Sequence, residues 1–241
     1  MSKKLIFVLI LVGFVAAVAL TGLILAGVNY FGPLKSLAIS HITNKYDKTK
    51  TQGQIVFYGA SNFARWSDME TDLAPYPVQN HGFGGSADKD LVYYADVLLF
   101  PYDPKVVVFQ TGSNDYVQIT GTDEEKIQTC MDNKRAMYAS FHEKLPDAVF
   151  VVMSGLLLPG RSEYLDLTLK INEELQALCD ETDYMLFVDA NAMTYDGTSF
   201  KTELFGKDGI HLNRDGQILW ADEYILPALE QACALAGCDA S

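Results

Sequence analysis

Five short runs rich in apolar, β-branched and aromatic residues recur along the chain at 55–58, 77–80, 106–109, 148–152 and 185–188. Several are continuously apolar, the pattern of strands covered on both faces of a parallel sheet. Between them lie longer amphipathic stretches, at 87–100, 123–145, 162–181 and 214–235, that read as helices. This alternation predicts an α/β fold, a three-layer α/β/α sandwich with a mostly parallel sheet. Local signals support the boundaries. Thr122 and Glu125 form a capping box at the start of one helix, and Pro146 ends it. No repeat, low-complexity segment or Ser/Gly-rich linker follows residue 51, so no second domain is expected.

Ahead of this body, residues 5–28 contain no charged side chain. A helix of that length, at about 1.5 Å per residue, crosses the ~30 Å hydrocarbon core of a bilayer with some tilt. The run is longer than the ~7–15 residue apolar region of a cleaved signal peptide and lacks the polar face of a buried core helix. The expected organisation is a transmembrane anchor within 1–28, a juxtamembrane connector over 29–50 and the main domain over 51–241. Lys3 and Lys4 precede the span, so the N-terminus is expected to be cytoplasmic and the body extracytoplasmic. Secretion after signal cleavage is the alternative.

Charge narrows the partners. The chain carries 18 basic against 31 acidic residues, a formal −13, with no basic stripe to neutralise phosphates. Nucleic acid is not expected as a partner, and close apposition to anionic lipid is disfavoured for the body. The four cysteines contain no CxxC pair, which argues against structural zinc. Cys233 and Cys238, with Gly237 between them, are spaced for a small terminal loop closure, which either forms or does not. Cys130 and Cys179 fall within helical patterns and read as buried small hydrophobes.

In an open α/β sheet, functional groups gather in the loops after the carboxyl ends of the strands. Four such loops carry clusters of small and polar residues: 59–63, 81–86, 111–116 and 208–213. Ser61, after Gly59 and Ala60, is placed either as a helix N-cap or as a hydroxyl presented above the sheet. Phe at position 63 excludes the G-x-S-x-G nucleophile elbow. Asp208, three residues before His211, can accept the ring N–H and fix the tautomer for proton abstraction, or can form an Asx-turn beside a surface histidine. The glycines of Asn80-His81-Gly82-Phe83-Gly84-Gly85-Ser86 allow an amide to face a ligand. The same letters imitate a dinucleotide fingerprint but follow the second strand instead of the first, so nucleotide binding is not expected. His81 has no acid beside it in sequence and reads as structural. Asn114, in Thr111-Gly112-Ser113-Asn114-Asp115-Tyr116, is either a turn residue or a side-chain oxyanion donor. Phe63 and Trp66, close to Ser61, read as core or as a substrate-binding wall.

Taken in chain order over residues 54–220, these four segments resemble the SGNH-hydrolase, or GDSL-like esterase, family. The resemblance rests on Gly59-Ala60-Ser61, on the glycines of 82–85, on Gly112-Ser113-Asn114-Asp115 and on Asp208-Gly209-Ile210-His211. It implies a flavodoxin-like sheet of the SGNH type and an ester hydrolase with no metal and no cofactor. Ser61 is then the nucleophile, His211 the general base and Asp208 its orienting acid, with the Ser61 amide, the Gly85 amide and the Asn114 side chain as oxyanion hole. Gly85 rather than Gly84 follows from motif register. One departure stands out: Ala60 occupies the place of the family's aspartate, which is not a triad member. For an esterase facing outward on an acidic body, the expected substrates are short acyl, above all acetyl, esters of carbohydrates or small molecules. The alternatives are acyl transfer to a sugar hydroxyl, lysophospholipid hydrolysis, or a non-catalytic binding module.

Overall fold

The computed structural model describes residues 35–238. The apolar run at 5–28 lies outside them; among the described residues no helix is long and apolar enough to cross a membrane. Five strands, β1 (Ile55–Gly59), β2 (Val78–Asn80), β3 (Val106–Gln110), β4 (Val149–Met153) and β5 (Met185–Val188), form one sheet in the order β2-β1-β3-β4-β5. Every pairing in it is parallel. The three central strands are buried along their whole length, as their unbroken apolar sequences require. The edge strands are shorter, and β5 is only partly buried beyond Met185.

Beyond residue 50 the helices are α1 (Ser61–Ala64), α2 (Met69–Asp72), α3 (Asp88–Leu98), α4 (Ser113–Tyr116), α5 (Asp123–Lys144), α6 (Leu165–Asp180), α7 (Asn191–Thr194), α8 (Arg214–Trp220) and α9 (Leu226–Ala236); residues 35–45 ahead of them are also helical. Alternation along the strands divides the core. Ile55, Phe57, Val106, Val108, Val149 and Val151 face Trp220, Ile225 and Leu229 on one side. On the other, Phe109 packs among Tyr58, Tyr138, Phe141 and Phe150 at ring separations of 5.3–6.3 Å. Removing a ring so enclosed costs about 3–5 kcal/mol.

Helix α5 begins and ends where its sequence signals place it. Thr122 N–H donates to Glu125 Oε2 at 2.8 Å, and Glu125 N–H donates to Thr122 Oγ1 at 3.3 Å. The helix expected at 214–235 runs without a gap over 214–236 and widens to a π-helical segment at Ala221–Ile225, between α8 and α9. Pro227 accounts for the widening, since its ring removes an N–H and crowds the preceding turn. Helix α6 starts three residues later than its periodicity suggests, after a 3₁₀ turn at Pro159–Tyr164 in which Arg161 leaves helical geometry (φ −140°, ψ 37°).

Residues 42–50, read above as part of a connector, pack onto the body. Tyr46 is buried, its hydroxyl accepts Asn80 N–H at 3.0 Å and donates to Glu70 Oε1 at 2.5 Å, and its carbonyl accepts the Tyr102 hydroxyl at 3.1 Å. At the other end Cys233 and Cys238 form a disulfide. Gly237 between them adopts the left-handed conformation (φ 64°) that lets Cys238 N–H reach Cys233 C=O at 3.1 Å. Cys130 and Cys179 are free and buried, and burial pushes both thiols up to about 12.

Candidate active site

The sheet order reverses between β1 and β3: the chain leaves β1 outward to β2, then returns across it to β3. Such a switch point opens a crevice at the carboxyl ends of the two strands. Gly59 pairs with Gln110 in register, so the loops that follow face each other directly. Ser61 lies two residues beyond Gly59, and Gly112 two residues beyond Gln110. Gly59 itself admits no side chain, because a Cβ there would stand 2.5 Å from the Gln110 carbonyl.

Ser61 is the first residue of α1, so its amide has no acceptor within the helix. Its Oγ lies 2.9 Å from His211 Nε2, and His211 Nδ1 lies 2.7 Å from Asp208 Oδ2. The carboxylate requires Nδ1 to carry the ring proton, which leaves Nε2 free to accept from the serine hydroxyl. Asp208 Oδ1 accepts the amides of Ile210 and His211 at 3.0 and 3.1 Å. The bond from His211, together with these amides, holds the Asp208 carboxyl well below the usual carboxylate range. Arg65 stands 3.6 Å from the same carboxylate. Ser61, Asp208 and His211, 150 residues apart at their extremes, thus form one hydrogen-bonded line.

Asn62 joins the two ends of that line. Its Oδ1 accepts Leu212 N–H at 3.1 Å and its Nδ2 donates to Ile210 C=O at 3.4 Å, bracketing His211 on both sides. Sequence reasoning assigns Asn62 no role. A polar amide beside the buried Phe63 was the signal available, and it named no partner.

Across the cleft, Asn114 donates from Nδ2 to Ser86 C=O at 3.0 Å. A carboxamide nitrogen carries two hydrogens, so the second remains available toward the cleft that Asn114 and Ser61 both line. Gly85 immediately precedes Ser86 and has φ +70°, a conformation that favours glycine. It occupies an exposed turn and is not among the residues lining the cleft floor, unlike Ser61 and Asn114. Leu156, Leu158 and Ile210 supply apolar walls.

Beneath the Asn114 loop lies a buried charge cluster. Lys134 Nζ contacts Asp88 Oδ1 and Oδ2 at 3.2 and 3.0 Å and donates to Thr111 Oγ1 at 2.8 Å. Asp88 N–H donates to Asp115 Oδ1 at 2.8 Å, while Asp115 Oδ2 is buried without a partner among the described residues. Burial would lower the Lys134 ammonium, but the Asp88 charge outweighs it and holds the group above its ordinary value. Burial, with the Asp88 charge adding to it, pushes Asp115 up to about 7.

Two residues weighed for the site belong elsewhere. Trp66 and Phe63 are core: both are buried, both stack on Trp220, and Trp66 Nε1 donates to Asp72 Oδ2 at 2.6 Å. They form no substrate wall. His81 is structural, fully buried with Nδ1 2.5 Å from Leu98 C=O, and burial lowers it to about 4. Among the described residues no cluster of His, Cys, Asp or Glu is arranged to hold a metal.

A doubly wound sheet with a Ser-His-Asp line at its switch point defines an α/β hydrolytic enzyme. The model of the GDSL-like lipase/acylhydrolase family matches residues 42–218; the chain belongs to that family and is an ester-hydrolysing enzyme. A search among curated proteins finds no match. Among solved structures, the chain is similar to a lipase/acylhydrolase from Enterococcus faecalis, at 20% identity and a TM-score of 0.58 over 75% of this chain and 96% of that one. It is similar also to a GDSL-like lipase from Bacteroides thetaiotaomicron, at 19% identity and 0.56 over 78% and 91%. A third is a mutant of Axe2, an acetyl-xylooligosaccharide esterase from Geobacillus, at 15% identity and 0.55 over 78% and 96%. At these identities the likeness is one of fold.

Proposed function

We propose that Ser61 is the nucleophile of a short-acyl esterase acting on acetylated carbohydrate or small-molecule esters. The observation that carries this reading is the unbroken contact from Ser61 Oγ through His211 to Asp208. His211 Nε2 takes the hydroxyl proton as Ser61 Oγ attacks the ester carbonyl, and Asp208 stabilises the resulting imidazolium. The Ser61 amide and the second Asn114 Nδ2–H receive the oxyanion, and the Gly85 amide, on the turn just before Ser86 and outside the cleft floor, is the third donor this reading calls for. His211 then returns the proton to the leaving alkoxide, the acyl group remains on Ser61, and water activated by His211 releases it as the acid.

The acyl preference is supported by the buried Leu156 and Leu158, which wall the cleft beside Ser61 and crowd the acyl side of the ester. An acetyl-xylooligosaccharide esterase among the structural neighbours is in keeping with a glycan substrate. The test is hydrolysis of p-nitrophenyl esters from acetate to palmitate by the full chain in detergent micelles, with Ser61→Ala alongside. The expected result is serine-dependent turnover that falls as the acyl chain lengthens. Equal turnover of palmitate would overturn the short-acyl reading, and wild-type rates in Ser61→Ala would overturn the nucleophile.

We further propose that residues 5–28 anchor the enzyme in a membrane with its body on the extracytoplasmic side. Lys3 and Lys4 ahead of the apolar run support the orientation, and the Cys233–Cys238 disulfide is at home in an oxidising compartment. Protease added to intact cells is expected to digest the body while sparing cytoplasmic markers. A fully protected body would contradict the orientation.

A further inference from the structure

We infer that Arg161 is a positioning residue for the oxyanion donor, acting through the side chain of Asn114; this rests on the reading of Asn114 given above. Arg161 Nη2 donates to Asn114 Oδ1 at 3.3 Å. The amide is therefore gripped at both ends, by the guanidinium on its oxygen and by Ser86 C=O on one of its two N–H bonds. Those two contacts fix the amide plane and dictate which hydrogen is left for the substrate.

The charge behind that contact is unusual in this molecule. Of the four arginines in the sequence, Arg65, Arg135 and Arg214 each face a carboxylate. Arg161 has no carboxylate partner among the described ion pairs, and its Nη1 is buried without an acceptor. An uncompensated guanidinium on the carbonyl oxygen of a carboxamide draws electron density from its nitrogen and makes the remaining N–H a stronger donor.

The same turn reaches the opposite side of the cleft. Gly160 N–H donates to Gly209 C=O at 2.9 Å, inside the loop that carries Asp208 and His211. Any Cβ at Gly160 would meet the Asp208 carbonyl oxygen at 2.3 Å, so only glycine permits this approach. The departure of Arg161 from helical geometry directs consecutive residues to different partners, Gly160 to the base loop and Arg161 to the donor.

The experiment is a double-mutant cycle on the full-length enzyme with p-nitrophenyl acetate, comparing Arg161→Met, Asn114→Ala and the double variant, with Arg161→Lys as the conservative replacement. Arg161→Met is expected to lower kcat about tenfold or more with KM within about twofold, because the contact matters when charge develops and not when substrate binds. Arg161→Lys should recover part of the loss. In the Asn114→Ala background the Met substitution should change kcat by less than about twofold. Additive losses, or a loss confined to KM, would overturn the inference while leaving Asn114 as donor. Wild-type kcat in Asn114→Ala would instead overturn the underlying reading. If Arg161→Met does not fold, the Lys variant alone decides, since undiminished kcat with lysine at 161 contradicts a role for the planar guanidinium.

Discussion

The two loops that face each other across the cleft are held in opposite ways. The loop bearing Asp208 and His211 lies at the surface: the Asp208 side chain is 41% exposed, and short backbone bonds such as Gly206 N–H to His211 C=O at 2.8 Å close the loop on itself. The loop bearing Asn114 rests on a fully buried ion pair, with Lys134 and Asp88 side chains only 1% and 2% exposed. The difference follows what each loop does in the proposed reaction. A base must pass protons to leaving group and water, so it needs solvent at hand. An oxyanion donor works by staying fixed in a low-dielectric setting as charge appears, and buried charge in the Lys134 cluster enforces that rigidity at the expense of desolvation.

The comparison predicts that damage on the base side removes activity and spares the fold, whereas damage beneath the oxyanion side removes both. The largest effects should come from Ser61→Ala and His211→Ala, each lowering kcat by about 10⁴–10⁶-fold with an unchanged unfolding midpoint. Next is Lys134→Met, which strands Asp88 in the interior and should cost about 3–5 kcal/mol in urea unfolding. A cost near zero there would break the distinction between the loops. Asn114→Ala should lower kcat by about 10²–10³-fold. Asn62→Ala, which releases the bracket around His211, should lower it by about 10- to 100-fold.

One further effect depends on pH. Asp115 is raised in the folded state to about 7, so the stability it contributes is full below its unfolded value near pH 4 and is lost as pH rises to about 7. Asp115→Asn cannot ionise. The variant should match the wild type at pH 4 and exceed it in thermal midpoint at pH 8. A constant difference across that range would show that Asp115 does not titrate there.

Sequence carried the frame of this molecule because its signals are local. Strands such as Val106–Gln110 are visible as apolar runs, Ser61 follows the end of one strand, and Asp208 and His211 precede the last helix, all in segments rich in small and polar residues. Even the disulfide was admissible from a five-residue separation and an intervening glycine. What stayed hidden depends on contacts between distant segments. Asn62 finds Leu212 across 150 residues and Arg161 finds Asn114 across 47, and neither partner leaves a mark on its neighbours in sequence. Lys134 was legible in principle, since it falls on the apolar stripe of α5 with Cys130, Met137, Tyr138 and Phe141. A charge on such a stripe demands a buried partner, but not a named one. The widening of the C-terminal helix was also written in the chain, at Pro227.

The central claim is that Ser61, activated by His211, forms the covalent intermediate. Labelling the full-length enzyme with a fluorophosphonate and mapping the modified peptide by mass spectrometry tests it most directly. The label is expected on Ser61 alone, with its rate of attachment collapsing in His211→Ala. Modification of another residue, or undiminished labelling in His211→Ala, would contradict the account.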